Sequence, residues 1–133
     1  MEERLALRLR LFRDDGRAES RVIDFVTGEL DALAAGGQTV TEDTAGMLTS
    51  HLVMALTRLL NGEAIEQFLT DEQVAAELAG HPEAVAGARA MAERARARLG
   101  AGLPESEIGL LGMHLAVLAQ RSHARPTPST EGS

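Results

Sequence analysis

The sequence predicts an all-α fold, a five-helix bundle of antiparallel helices, on three observations. Alanine, leucine, arginine and glutamate dominate the composition, and these are strong helix formers, whereas β-branched residues are thinly scattered. Apolar residues recur at helical spacing through several stretches, and glycine- or proline-containing breaks separate those stretches. A chain of 133 residues is long enough to bury one core without disulfides or a metal. With aromatics at 2% of the residues and no Trp or Tyr, that core must be aliphatic.

The elements follow in order. Residues 5–12 alternate apolar and polar side chains, a pattern that serves a short strand or part of a helix equally. Asp14-Asp15-Gly16 reads as a turn, because Asp and Gly tolerate the backbone angles a turn needs. The first clear helix spans residues 18–35, with Val22, Phe25, Val26, Leu30 and Leu33 on one face and Gly36-Gly37 as its stop. Thr41 then caps a second helix, with Glu42 and Asp43 at the positive end of its dipole. That helix runs to about Leu60, where Asn61-Gly62 ends it. A shorter third helix is expected over 71–78. Gly80-His81-Pro82 breaks the chain before a fourth helix over 82–99, which opens on proline as first helical turns tolerate. A fifth begins in the segment 103–107 and ends near Gln120 or Arg121. Short connections make antiparallel packing the natural arrangement. The organisation expected is an N-terminal segment of uncertain structure (1–16), a helical domain (17–122) and a Pro-, Ser- and Thr-rich disordered tail (123–133).

Charge and composition exclude several classes of function. A net charge of −7 and a pI near 5.0 argue against direct nucleic-acid binding, whose affinity comes from Lys and Arg neutralising phosphates. The thirteen basic residues are all arginine, which nucleotide composition explains better than binding chemistry. Without cysteine there is no disulfide framework, thiolate metal site or thiol nucleophile. No apolar run is long enough to span a bilayer, and the first residues lack the pattern of a secretory leader, so a cytoplasmic, membrane-independent protein is expected.

The informative feature is an internal likeness. Glu42-Asp43-Thr44-Ala45-Gly46-Met47-Leu48-Thr49-Ser50-His51-Leu52 aligns with Glu105-Ser106-Glu107-Ile108-Gly109-Leu110-Leu111-Gly112-Met113-His114-Leu115, with five positions identical. Each segment sets a histidine about two and a half turns past a helix start, so the two imidazoles are expected at similar depth and in paired roles. On the second helix Met47, His51, Ala55 and Arg58 share one stripe, which lets Arg58 reach back towards His51. On the fifth, Glu107, Leu111, His114 and Leu118 form the corresponding stripe. Glu107 lies two turns, about 10 Å, before His114, so its carboxylate can serve an imidazole only indirectly or across a helix-helix contact. His81 and His123 fall in loop and tail contexts and are given no role.

These residues resemble a known family, the phosphotransferase-system regulation domain (PRD) of sugar-responsive antiterminators and transcription activators. The segment from Ser50 through His51 to Arg58 is similar to the family's first histidine helix. The segment Leu103-Pro104-Glu105-Ser106-Glu107-Ile108-Gly109-Leu110-Leu111-Gly112-Met113-His114-Leu115 is similar to its second, and is the more specific motif. The 63-residue separation of the histidines suits the family, and the likeness covers about residues 17–121. It implies a five-helix bundle that forms a homodimer, with His51 and His114 reversibly phosphorylated and Arg58 and Glu107 as their neighbours. The phosphocarrier protein or a sugar-transport enzyme of the phosphotransferase system would be the donor, and the output would be carbohydrate-responsive, transcriptional regulation. Ser50 stands where many members carry an acidic residue. A single copy without an output domain matches the small single-domain branch.

Two other readings are open from the residues. One is a small helical dimeric interaction protein whose histidines are purely structural, which the charge and the aliphatic faces fit equally well. The other is a metal site built from His51, His114 and Glu107, against which stands the absence of short-spaced ligand pairs. No nucleophile elbow, phosphate-binding glycine loop or dinucleotide fingerprint is present. Neither enzymatic turnover, a cofactor nor a metal is therefore expected.

Overall fold

In a computed structural model, which describes residues 1–63, 72, 76 and 79–124, the chain is a helical bundle. The described helices are α1 (Glu3–Asp14), α2 (Ser20–Ala35), α3 (Glu42–Leu60), α4 (Pro82–Leu99) and α5 (Glu105–Ala124). Apart from Glu72 and Ala76, the short helix expected over 71–78 lies outside the described residues, as does the chain from 125 onward. α5 runs to Ala124, past its expected end near Gln120 or Arg121 and into the segment 123–133 expected to be a tail.

The ambiguous N-terminal stretch is helical, and its ends explain why. The Glu2 carboxylate accepts hydrogen bonds from the amides of Arg4 and Leu5, capping α1. It also accepts from the Glu42 amide at 2.8 Å, so one side chain serves the starts of two helices. Chiefly because of that Glu42 amide, the Glu2 carboxyl is held down to about 2, since donated hydrogen bonds favour the charged form. Once α1 is helical, Leu5, Leu9 and Phe12 fall on one face and are buried. The N-terminal segment therefore belongs to the core.

α2 buries Val22, Phe25, Val26 and Leu30 as expected and Ile23 besides, with Leu33 packed at the edge. It ends at Gly36-Gly37, where Gly37 takes a left-handed φ of 101° that a side chain would resist. α3 opens on a capping box: Thr41 Oγ1 accepts from the Thr44 amide, and Thr44 Oγ1 accepts from the Thr41 amide. Pro82 starts α4, and Gly100, with φ of 73°, ends it. The buried face of α4 is mostly alanine, namely Ala88, Ala92 and Ala95 with Met91 and Leu99, and small side chains allow a close approach. α4 packs most extensively against α5, where a Cβ at Gly87 would sit 3.5 Å from Leu115.

α5 also lies against α3, the contact that assembles the site. The first turn of α3 meets the last turns of α5, through Arg121 donating to the Asp43 carbonyl at 2.7 Å. Just before α3, the Thr39 amide donates to Ser122 Oγ at 2.8 Å. Leu48, Leu52 and Leu56 on one side and Leu111, Leu115 and Leu118 on the other complete the shared core.

Candidate functional site

Three polar side chains are buried among the described residues, and what satisfies each differs. Thr49 donates to the Ala45 carbonyl within its own helix. Glu29, on α2, takes two 2.7 Å hydrogen bonds from the Arg94 guanidinium of α4, a permanent charge facing a carboxylate. Glu107, only 2% exposed, faces His51 instead, with Oε1 at 2.8 Å from Nε2. In a chain with thirteen arginines, the carboxylate at the α3–α5 contact is matched to a group that titrates and can act as a nucleophile.

The two histidines of the internal repeat meet at this place. Their ring centroids are 5.3 Å apart, with the planes tilted by 34°. The repeat is thus spatial: α3 and α5 each bring an imidazole to a common point. Glu107 bonds the other helix's histidine, across the helix-helix contact. Its counterpart in the repeat, Thr44, is spent instead on capping α3.

Protonation follows from the geometry. An ionised Glu107 only accepts, and facing it His51 donates from Nε2, the arrangement that leaves Nδ1 free in a neutral ring. The His51 side chain is 30% exposed, enough for a reagent to approach. His114 is half-buried, and its pKa lies below the ordinary imidazole value. Burial is the main cause and the neighbouring His51 adds to it, with Glu107 opposing. His114 is thereby held towards its neutral, nucleophilic form.

Around the pair lies a second layer of charge. Arg8 of α1 donates through Nε and NH2 to Glu42 and through NH1 to Ser50 Oγ at 2.7 Å. Ser50, where an acidic residue is common in the family the sequence resembles, therefore engages an arginine directly before His51. Gly46 leaves the room this requires, since a Cβ there would sit 3.2 Å from the Arg8 guanidinium. A depression of about 290 Å³ opens beside His114, with Arg8, Arg121 and the first turn of α3 among its walls.

Arg58 stands apart from this cluster. It is exposed, two turns along α3, and lines another depression with Phe12, Arg17 and Met54. Arg8 and Arg121 are the basic residues in the walls of the depression beside His114, and sequence reasoning passed over both. Arg8 had a signal, because it falls at the i+3 position between Leu5 and Phe12 on an otherwise apolar helical face, but only once α1 is read as a helix. Arg121, at the expected end of its helix, had none.

No group of three or more His, Asp or Glu among the described residues is arranged to hold a metal ion. No helix among them is long and apolar enough to cross a membrane. In comparisons with known proteins, no family model, curated protein or solved structure matches this chain.

Proposed function

We propose that this chain is a regulatory phosphoacceptor, a module of the phosphotransferase-system regulation type, in which His51 and His114 receive phosphoryl groups reversibly. The observation that carries the reading is the buried Glu107 carboxylate bonded to His51 Nε2, 2.8 Å away across two helices. Such a contact orients the imidazole, fixes its tautomer and makes Nδ1 the nucleophile. A purely packed histidine needs no buried carboxylate, and burying one carries a desolvation cost.

Transfer to an imidazole adds close to two negative charges and strong acceptor oxygens. At the meeting of α1, α3 and α5 that change is large, because Arg8, Arg121, Glu42 and Glu107 are all within the local network. The product is a modified state of the bundle, read by a partner or a second copy, in keeping with a regulator in place of an enzyme. The donor in this reading is the phosphocarrier protein or a sugar-transport enzyme of the phosphotransferase system, and the setting is the cytoplasm.

Intact-mass spectrometry at neutral pH tests it, after incubation with phosphoenolpyruvate, the first transport enzyme and the phosphocarrier protein. Added phosphate that disappears in a His51→Ala, His114→Ala double variant is expected. Unchanged mass in the wild-type protein, beside a control domain that is phosphorylated, would refute the reading.

One observation favours a second reading, an interaction module whose histidines only support packing. Met47 is 77% exposed, and Met54, on the same stripe of α3, is also exposed, as are Leu7 and Leu11 on α1. Exposed methionines flanking a site suit an adaptable contact surface. A protein that takes no phosphate yet retains a partner through this face, with binding lost in Met47→Glu, would establish that reading instead.

A further inference from the structure

We propose that the depression between α1, α3 and α5 is the receiving pocket for a phosphoryl group on His114, and that Arg121, with Arg8 behind it, supplies the positive charge that holds the group there. The inference rests on the phosphoacceptor reading and extends it to residues outside the histidine motifs.

Three features of the depression support it. Its volume of about 290 Å³ corresponds to several water molecules at roughly 30 Å³ each, room for a phosphoryl group with part of its hydration. His114 forms one wall while Arg8 and Arg121 form others, so a group on the ring within the depression shares it with two guanidinium side chains. The arginines also differ in what binds them. Arg8 is paired with the Glu42 carboxylate, and its NH1 is spent on a neutral hydroxyl. Arg121 donates to the backbone carbonyl of Asp43 and makes no carboxylate pair among the described residues. Turning Arg121 to a phosphoryl oxygen exchanges a neutral acceptor for an anionic one, and charge-assisted bonds of that kind are the stronger.

The acids in the same walls do not cancel this. Glu42 is already neutralised by Arg8, and its carboxyl is held low chiefly by that guanidinium. The Asp43 side chain is 78% exposed and turned towards Arg4, so water screens it. His51 lies outside the walls of the depression, and a group on its Nδ1 has a different environment from one on His114.

The step itself is simple. A ring nitrogen of neutral His114 bonds to phosphorus as the donor's N–P bond breaks, and the donor nitrogen keeps the electron pair and takes up a proton. Hydrolysis of the product reverses the charge flow, with water taking the phosphoryl group as the ring leaves in protonated form. A guanidinium on the phosphoryl oxygens withdraws the charge that drives this departure and disfavours ring protonation. The pocket therefore prolongs the life of phospho-His114.

The test uses the full chain carrying His51→Ala, phosphorylated chemically with potassium phosphoramidate, which transfers its phosphoryl group and releases ammonia, so that no protein donor is assumed. Loss of the added mass is followed at neutral pH, and the phosphorus NMR signal is recorded, in that background and with Arg121→Gln, Arg121→Lys or the remote Arg98→Gln added. Arg121→Gln is expected to shorten the lifetime about ten-fold or more, the scale of one charge-assisted hydrogen bond, and to move the phosphorus signal. Arg121→Lys should restore part of the lifetime, and Arg98→Gln should leave it unchanged. Equal lifetimes in all four proteins would overturn the pocket while leaving the histidines free to be acceptors. Failure of the His51→Ala protein to take any phosphoryl group would overturn it as well, since His114 would then have no access to the depression. Transfer from phosphoramidate without transfer from the phosphotransferase proteins would leave the pocket standing and remove the assigned donor.

Discussion

His51 on α3 and Glu107 on α5 are joined by a 2.8 Å contact from ring nitrogen to a carboxylate that is almost wholly out of water, so each helix orients a group carried by the other. Replacing Glu107 with Gln keeps the shape and removes the charge. The amide can present either an acceptor or a donor to Nε2, so the tautomer is no longer held. Second-shell partners of this kind are worth about 10–100-fold in the function of the group they orient. In a His114→Ala background, phosphoryl uptake by His51 is expected to slow about ten-fold or more in Glu107→Gln, with thermal stability nearly unchanged. Uptake at the parent rate would show that the contact is only packing.

The 5.3 Å between the imidazole centroids sets a limit on occupancy. Two phosphoryl dianions about 8 Å apart repel by about 2 kcal/mol even at the dielectric constant of water, and by more beside a protein surface. That alone disfavours a second group about 30-fold. Wild-type protein is therefore expected to show one added phosphate as its dominant product, while His51→Ala and His114→Ala each accept one. A doubly modified wild-type protein as the major species would mean that the arginines or a movement of α5 relieve the repulsion.

The sequence made the bundle legible wherever local signals agreed. Thr41, Pro82 and Gly100 mark helix ends by their own chemistry, and the apolar spacing of α2 predicts most of the residues it buries. The N-terminal stretch stayed ambiguous because its alternation fits two periods. What decides for a helix is the Glu2 cap and its reach to Glu42, 40 residues away. The site divides in the same manner. The histidines were visible as a repeat, and Glu107 as a carboxylate able to act only across a helix-helix contact. Its partner, Arg8 and Arg121 depend on which helices pack together, and no local pattern encodes that. Arg58 shows the converse. Sequence proximity suggested His51, and the rise of two turns along α3, about 10 Å, sets Arg58 in the wall of another depression.

His114 makes stability depend on pH in a definite direction. Burial and the facing His51 lower its pKa, against the opposing pull of Glu107, and Arg8, Arg121, Glu42 and Asp43 line the depression beside it. A depressed imidazole pKa means that the unfolded chain binds the proton more readily. Stability is therefore fully present above the ordinary imidazole value, near 6.5, and is lost as pH falls from there through the lowered folded value. The depressed carboxyls Glu2 and Glu42 act in a lower window, below the ordinary carboxylate pKa. Denaturant midpoints at about pH 7.5 and 5.5, either side of the ordinary imidazole pKa, are expected to differ more in the wild-type protein than in His114→Gln. Equal differences in the two proteins would assign the loss to another group.

The Glu29–Arg94 pair tests the claim that a buried carboxylate here is structural when its partner is arginine. Glu29 is buried, whereas the Arg94 side chain is 43% exposed, so removing the arginine leaves a carboxylate that water reaches only from one side. Loss of a fully buried partner costs about 3–5 kcal/mol. Access of water through the vacated arginine position reduces this to about 1–2 kcal/mol, between a neutral hydrogen bond and one to a charged group. For a domain of this size Arg94→Ala should lower the melting temperature by about 3–8 °C. Arg94→Ala, Glu29→Gln should recover part of that, because the orphaned charge is gone. Phosphoryl uptake at His51 and His114 should be untouched below the melting range. If uptake falls with Arg94→Ala in folded protein, the α2–α4 contact is coupled to the histidine site and the two buried carboxylates do not have separate roles.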